Sequence, residues 1–288
     1  KAEHKFNCFF LSQVNMDIEK KINIASQVET GVKLKLFNHG GNYFSFNCAI
    51  NDYHEVQISD IFFSWADTNF LKSEDSFSCK TQKIIHQIPT FNIINKNKIK
   101  KHDFVLINNT FNFLPYPCKS NPALKQVDKQ MKDTLKFLDR VVEKTDNFLI
   151  KDLDFFQHID PMNHYNKKYK ERVTSANLNK LVSESKIGVS SYYGTPFHHL
   201  MANDIPNIIF IKLSYYDFNK VFLSYLKEFQ KFQVVHFNPL SAAKFVENNI
   251  ENIEDIWNET ELVKLRKDFN LKFNQSPYNW QKKISNIL

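Results

Sequence analysis

From residue 103 onward, short apolar runs alternate with segments whose apolar residues recur every three or four positions, and no other feature limits the fold as much. Asp103-Phe-Val-Leu-Ile-Asn108 has an unbroken apolar centre, as a strand buried on both faces does. Leu124, Val127, Met131, Leu135, Leu138 and Val142 then line one side of a long helix opened by Asn121-Pro122. Further strands are predicted at Phe148–Ile150, Ile187–Val189, Asn207–Ile211 and Val234–His236. Further helices are predicted at Thr195–Asn203, Phe218–Phe229, Ser241–Asn249 and Asp255–Phe273. Strands that alternate with helices run parallel, giving a sheet covered on both faces, a doubly wound Rossmann-like domain that binds its ligand at the strand ends. The first hundred residues are less regular. Val32–Phe37 reads as a strand, Val56–Trp65 as a strand or a strand plus turn, and Ile84–Ile94 as extended, together the tail of a second α/β domain and its crossover. Because the chain opens at Lys1 rather than Met, part of that N-terminal domain is expected to lie upstream.

Glycine is scarce: five in 288 residues, four of them at His39-Gly40-Gly41 and in Gly188-Val-Ser-Ser-Tyr-Tyr-Gly194-Thr195-Pro196. A chain this sparing keeps glycine where φ is positive or where backbone lies against a ligand, so chemistry is expected at these two places. The composition, 42% hydrophobic and 15% aromatic, supplies ample core for a folded globular protein. Its 28 Phe, with many Asn, Lys and Ile, read as the codon bias of an AT-rich genome and carry no functional signal. A net charge of +7 admits an anionic partner: nucleic acid, lipid headgroups or a nucleotide-linked substrate. The densest basic runs, Lys96–Lys101 and Asn166–Arg172, lack the interleaved aromatics of a single-strand binding surface and read as solvated faces, so no nucleic-acid partner is expected. No stretch approaches the ~18 apolar residues of a membrane span and no secretory signal is evident, which predicts a soluble, cytoplasmic protein compatible with peripheral association at the inner face of the membrane. Cys8, Cys48, Cys79 and Cys118 show no CxxC spacing and read as reduced thiols, neither a zinc site nor a disulfide framework.

Two segments could carry chemistry. At Ser190-Ser191 a strand ends, a glycine-containing turn follows, and a helix starts with Thr195 as N-cap and Pro196 at its first position. That arrangement aims backbone N–H groups at one spot and suits a phosphate or diphosphate, although many such turns bind nothing. His39 closes an apolar strand and precedes two glycines. It reads either as a residue that hydrogen-bonds its own turn or as a base at a strand end. His198 and His199 diverge by about 100° on a helix and do not share a metal. His54, His158 and His164 lack HExxH spacing and read as loop or surface residues. Trp65, Trp257 and Trp280 read as packing. Lys167, Lys168 and Arg172 could neutralise a phosphorylated or sialic-acid-like donor or simply face solvent.

Tyr193-Gly-Thr-Pro-Phe-His-His-Leu-Met-Ala-Asn-Asp-Ile-Pro206 resembles the Gly-Thr segment with which the C-terminal domains of GT-B glycosyltransferases grip a nucleotide diphosphate. More narrowly, the chain resembles a family of transferases found in bacterial surface-polysaccharide gene clusters. The shared elements are Asn38-His-Gly-Gly-Asn-Tyr43, where that family tends to read Gln-His-Gly-Gly-x-Tyr; Glu55-Val-Gln-Ile-Ser-Asp60 followed by Phe63-Ser-Trp65; the Gly-Thr helix; Ser241-Ala-Ala243; and Ile256-Trp257 with Val263, Arg266 and Phe269. Two positions depart from it. His199 stands where the family tends to carry a ribose-binding Glu, and Lys151 where an Arg is expected; lysine keeps the charge but not the bidentate grip.

The resemblance implies an α/β, GT-B-like fold of two Rossmann-like domains facing a cleft. Residues 1–100 would form an incomplete N-terminal domain with its crossover, 101–274 the nucleotide-binding domain, and 275–288 a helix packing back on the N-terminal part. It implies a metal-independent glycosyltransferase that takes a nucleotide-sugar as substrate, needs no cofactor, and acts on a cell-surface glycan. His39 would be the base. Gly40, Gly41, Lys151, Ser191, Gly194, Thr195, Pro196, His198 and His199 would bind substrate or nucleotide. Two other readings stand beside this one: transfer of an alditol phosphate from a CDP-linked donor, and a non-catalytic scaffold or regulatory subunit that has lost the donor site.

Overall fold

A computed structural model describes residues 8–11, 18–41, 43–47, 50–67, 84–87, 94–96, 98–108, 122, 125–151 and 168–274. Leu124, His158, His164, Lys167, Trp280, Cys48, Cys79, Cys118 and the segment 275–288 lie outside them. The first half forms a sheet of β1 (Cys8–Leu11), β2 (Lys33–Phe37), β3 (Ile61–Ser64) and β4 (Ile84–Gln87), in that spatial order, with α1 (Ile18–Glu29) after β1 and α2 (Ile50–Ile58) before β3. The second sheet is built from β5 (His102–Ile107), β6 (Phe148–Lys151), β7 (Val173–Thr174), β8 (Ser185–Ser190), β9 (Asn207–Phe210) and β10 (Val235–His236), ordered β10-β9-β8-β5-β6-β7. Its helices are α3 (Lys125–Val141), α4 (Leu178–Ser183), α5 (Thr195–Ala202), α6 (Lys220–Lys231), α7 (Pro239–Asn249), α8 (Ile253–Trp257) and α9 (Thr260–Phe273). Every strand pairing in both sheets is parallel, as the alternation of strands and helices requires. The strand order reverses at β5, flanked by β6 and β8, and that is where an open sheet leaves a crevice at its carboxyl ends.

Burial follows the period-two geometry of a strand covered twice. On β5, Phe104 and Leu106 face Phe137 and Val141 of α3 and Phe245 of α7, whereas Val105 and Ile107 face Leu181 of α4 and Leu200 of α5. A third cluster crosses between the sheets. Leu34 and Leu36 of β2 and Phe62 of β3 pack in one core with Tyr193, Phe197 of α5, Phe222 and Phe229 of α6, and Phe269 and Phe273 of α9. Trp257 is buried in the same core, and Arg266 lies over its ring at 4.1 Å while pairing with Asp204, so Trp257 packs as expected.

Three local expectations change. Val56–Trp65 is not one extended run: α2 continues to Ile58 and β3 begins at Ile61. Glu55, Val56 and Ser59 are buried at helical spacing, and the Ser59 N–H donates to the Glu55 carbonyl at 3.2 Å, so the segment obeys a period that a short apolar run does not reveal. Asp255–Phe273 is two helices, because the Glu259 carboxylate accepts from the Glu261 and Leu262 N–H groups (3.3 and 3.2 Å) and starts a new one. Thr195 lies inside α5 rather than capping it; Gly194 is the N-cap, with no side-chain hydrogen bond of its own.

Candidate functional site

The two glycine-bearing turns meet. β2 delivers His39-Gly40-Gly41 and β8 delivers the turn into α5, and the Gly41 N–H donates to the Thr195 hydroxyl at 3.0 Å. Gly40 and Gly41 answer to this contact and not to backbone handedness, since among all five glycines only Gly31 has a positive φ (95°). A Cβ on Gly40 would stand 2.9 Å from Thr195 Oγ1, and one on Gly41 would overlap the His198 ring. The Thr195 side chain, expected to cap its own helix, instead ties the first half of the chain to the second. Gly194 has φ 176°, ordinary extended backbone, so the strain expected of a positive φ does not arise there.

Beneath this contact lies a buried hydrogen-bond hub. The Tyr193 hydroxyl is 2.5 Å from Ser45 Oγ, 2.5 Å from His198 Nε2 and 3.1 Å from the Gly41 carbonyl. His198 Nδ1 bonds Asn274 Oδ1 at 2.7 Å, so both of its ring nitrogens are engaged by protein and the residue sits in the seam between the halves. His199 is buried on the next helical position, and Thr195 is exposed at the helix start. Ser191 is buried at the end of β8, where its hydroxyl donates to Asn108 Oδ1 at 3.1 Å. Lys151, at the end of β6, donates to the Ser175 carbonyl at 3.0 Å. Lys168 and Arg172 pair with Asp139 and Asp146. The structure therefore brings His39, Gly40, Gly41, Gly194, Thr195 and His198 together, with Ser191 and Lys151 along the strand ends of the second sheet.

His39 is exposed, and its Nδ1 hydrogen-bonds the Tyr43 hydroxyl, which donates its proton to Glu55 Oε2 at 2.5 Å. Tyr43 has one proton. With that proton given to Glu55, the phenol oxygen accepts from His39 Nδ1–H, and the Nε2 lone pair becomes the basic one. Glu55 is fully buried and Tyr43 nearly so. Beside His39, Asn38 is buried, and its Oδ1 has no hydrogen-bond partner among the described residues, an acceptor of the kind a ligand hydroxyl satisfies. Tyr43 and Glu55 stand within the motifs quoted above, but a motif gives neither residue a role. Tyr193 and Asn274 had no signal beyond proximity in sequence to Gly194 and to the end of α9. Among the described residues, no three His, Cys, Asp or Glu side chains gather to hold a metal.

Burial pushes the His198 imidazole down to about 4, against the opposing hydrogen bond to Asn274, and pushes His236 down to about 4 in the same way. An unfolded histidine titrates near ~6.5. Lowered folded pKa values mean that stability is complete above pH ~6.5 and is lost as pH falls toward 4, because the unfolded chain takes up the protons first. We expect about 2 kcal/mol to be lost between pH 7 and 5 through His198, with a smaller share from the less buried His236. Urea titrations across that range, above the carboxylate region, test this; a flat stability profile would contradict the buried neutral His198.

The family model of LIC12162 family transferases matches residues 2–288. The chain belongs to that family. No curated protein matches it. Among solved structures it is similar to the wall teichoic acid polymerase TagF with CDPG, at TM-score 0.54 and 11% identity over 98% of this chain and 71% of that one. It is also similar to MnaA of S. aureus with UDP (TM-score 0.53, 9% identity, 98% and 75% coverage) and to sucrose-phosphate synthase of Thermosynechococcus elongatus (TM-score 0.52, 11% identity, 99% and 74% coverage). The chain spans 50% of the length of TarM. At these identities the likeness is one of fold, and it is the GT-B fold expected from the Gly-Thr segment. Among the described residues of this family member, no helix is long and apolar enough to cross a membrane.

Proposed function

We propose that this LIC12162 family transferase moves a sugar from a nucleotide-activated donor to a surface glycan or its precursor. The observation that carries the reading is the Gly41 to Thr195 hydrogen bond, which joins a base-bearing turn of one sheet to the uncapped helix start of the other. In this reading the start of α5 faces the donor diphosphate, where its N–H groups and helix dipole stabilise the departing charge. Lys151, Ser191 and His199 line the approach. The acceptor hydroxyl binds beside Asn38 and His39. His39 Nε2 takes its proton as the oxygen bonds the anomeric carbon, and the bond from that carbon to the diphosphate breaks, the electron pair leaving with the nucleotide. Tyr43 and Glu55 hold the imidazole in the tautomer that does this. In this reading the step uses neither a metal nor a cofactor, and nucleic acid is not a partner.

UDP is the first nucleotide to test, because MnaA, of the same fold, was solved with it. UDP, GDP, CDP and CMP are compared by thermal shift, then the matching nucleotide-sugars and CDP-glycerol are incubated with a glycan acceptor and the products analysed. One nucleotide is expected to stabilise the protein by about 2.7 kcal/mol at a hundredfold excess over Kd. A glycosylated product supports the proposal. A glycerol phosphate product would replace it with alditol phosphate transfer, and silence across the nucleotides would replace it with the scaffold reading.

A further inference from the structure

The strap that follows the Gly40-Gly41 turn is laced to the second half of the chain through backbone. The Asn47 N–H donates to the Asp217 carbonyl at 2.9 Å, the Asn219 N–H donates to the Ser45 carbonyl at 3.0 Å, and Phe46 and Phe218 pair as an isolated antiparallel bridge. Their rings stack, with centroids 5.1 Å apart. Within this strap Phe44 has φ 61°, the left-handed region that a bulky residue enters only against a steric penalty, so its surroundings must hold it there. A side chain from the other half grips its carbonyl: Asn219 Nδ2 donates to the Phe44 oxygen at 2.7 Å. The other end of that buried amide is committed as well, because Asn219 Oδ1 accepts from the Phe222 N–H at 2.8 Å and caps α6. The cap therefore fixes which way the amide points.

Tyr43, the residue before Phe44, is the one whose hydroxyl bonds His39 Nδ1 and Glu55. The φ rotation at Phe44 relates the Tyr43 side of the turn to the carbonyl that Asn219 grips. Releasing that carbonyl lets the backbone relax out of the left-handed region, and the relaxation carries Tyr43 off the imidazole. We infer that Asn219 is a positioning residue for His39: through Phe44 it keeps the Tyr43 hydroxyl on Nδ1, so that the helix cap of α6 in one half of the chain sets the tautomer of an imidazole carried by the other. The link from tautomer to turnover rests on the transfer reading above; the link from Asn219 to tautomer does not.

The test reads the tautomer of His39 from its ring carbon and nitrogen NMR shifts at about pH 8, above the ordinary histidine range, with the signals assigned by their absence in His39→Ala and urea midpoints to confirm folding. Asn219→Ser keeps a hydroxyl to cap Phe222 and is too short to reach Phe44. Asn219→Asp keeps the size and the cap but brings no donor, and it serves if the serine variant does not fold. The wild type is expected to carry its ring proton on Nδ1. Asn219→Ser is expected to move that proton toward Nε2, as Tyr43→Phe does, and the double variant is expected to match Tyr43→Phe alone, since Asn219 acts through Tyr43. Phe229→Leu, a loss of buried packing further along α6, is expected to lower the urea midpoint and leave the His39 signals in place. A wild-type proton on Nε2, an unchanged tautomer in the folded Asn219 variants, a shift that adds to that of Tyr43→Phe, or an equal shift in Phe229→Leu overturns the positioning. In a transfer assay, kcat of Asn219→Ser is expected to fall about three- to tenfold with donor Kd unchanged. The expected tautomer shifts together with near wild-type turnover in His39→Ala leave Asn219 as the positioning residue of the imidazole and remove the base reading instead.

Discussion

His39→Ala is expected to lower turnover by about 10²–10⁴-fold, the usual contribution of a general base, while donor Kd stays near its wild-type value. The separation follows from position. His39 is exposed just past the end of β2, and in the proposed reading it meets the acceptor while the nucleotide binds at the start of α5. Tyr43→Phe and Glu55→Gln are expected to fall between the alanine variant and the wild type, because each disturbs the tautomer without removing the imidazole. Measuring kcat, donor Kd and the pH dependence of kcat on the same preparations decides the matter. Near wild-type turnover in His39→Ala would end the catalytic assignment and leave the fold untouched. Parallel losses of stability, donor binding and turnover would mark His39 as a structural residue of the Gly40-Gly41 turn.

Phe222→Ala is expected to cost roughly 3–5 kcal/mol of folding free energy, a large part of the ~5–15 kcal/mol that holds a typical domain together. Phe222 is fully buried, and its ring lies 5.0 Å from Tyr193, 5.0 Å from Phe273 and 5.9 Å from both His198 and Phe269. Truncation leaves a cavity bordered by three helices and the Tyr193 hub, none of which can close it without moving the others. Since Tyr193 also holds Gly41 and Ser45, nucleotide affinity is expected to drop with stability. Phe222→Leu should cost less than half as much. A loss under 1 kcal/mol for the alanine variant, by urea denaturation with an unchanged m-value, would mean that the inter-sheet core is not packed as described.

The second sheet was legible because each of its main strands has a buried apolar centre, a signal that tolerates polar residues and errors of a residue or two at the ends. α2 was not, because Glu55 is a charged residue in a fully buried position and breaks the apolar stripe that identifies a helix. Its burial depends on Tyr43, twelve positions away, and no local pattern records such a partner. The split between α8 and α9 turns on one capping glutamate in an otherwise continuous helical period. Glycine scarcity pointed to two turns that meet in the fold, for a different reason: Gly40 and Gly41 make room for Thr195 and His198, which follow more than 150 positions later. Sequence spacing gave His198 and His199 equal standing. Only the folded chain distinguishes them, turning the His198 ring onto Tyr193 and Asn274.

The cluster that runs from Leu34 and Phe62 through Phe222 to Phe269 has a consequence for how this protein can be handled. Two Rossmann-like units that met through a thin polar contact could be cut apart and studied singly. Here any cut between the sheets bares phenylalanine faces from both sides at once, so separately expressed halves would be driven to aggregate or to find each other again. Complementation between fragments is then a more natural experiment than dissection. The same continuity ties the geometry of the two turns to the integrity of the whole chain, and a lesion deep in α6 or α9 is felt at Thr195 without touching it.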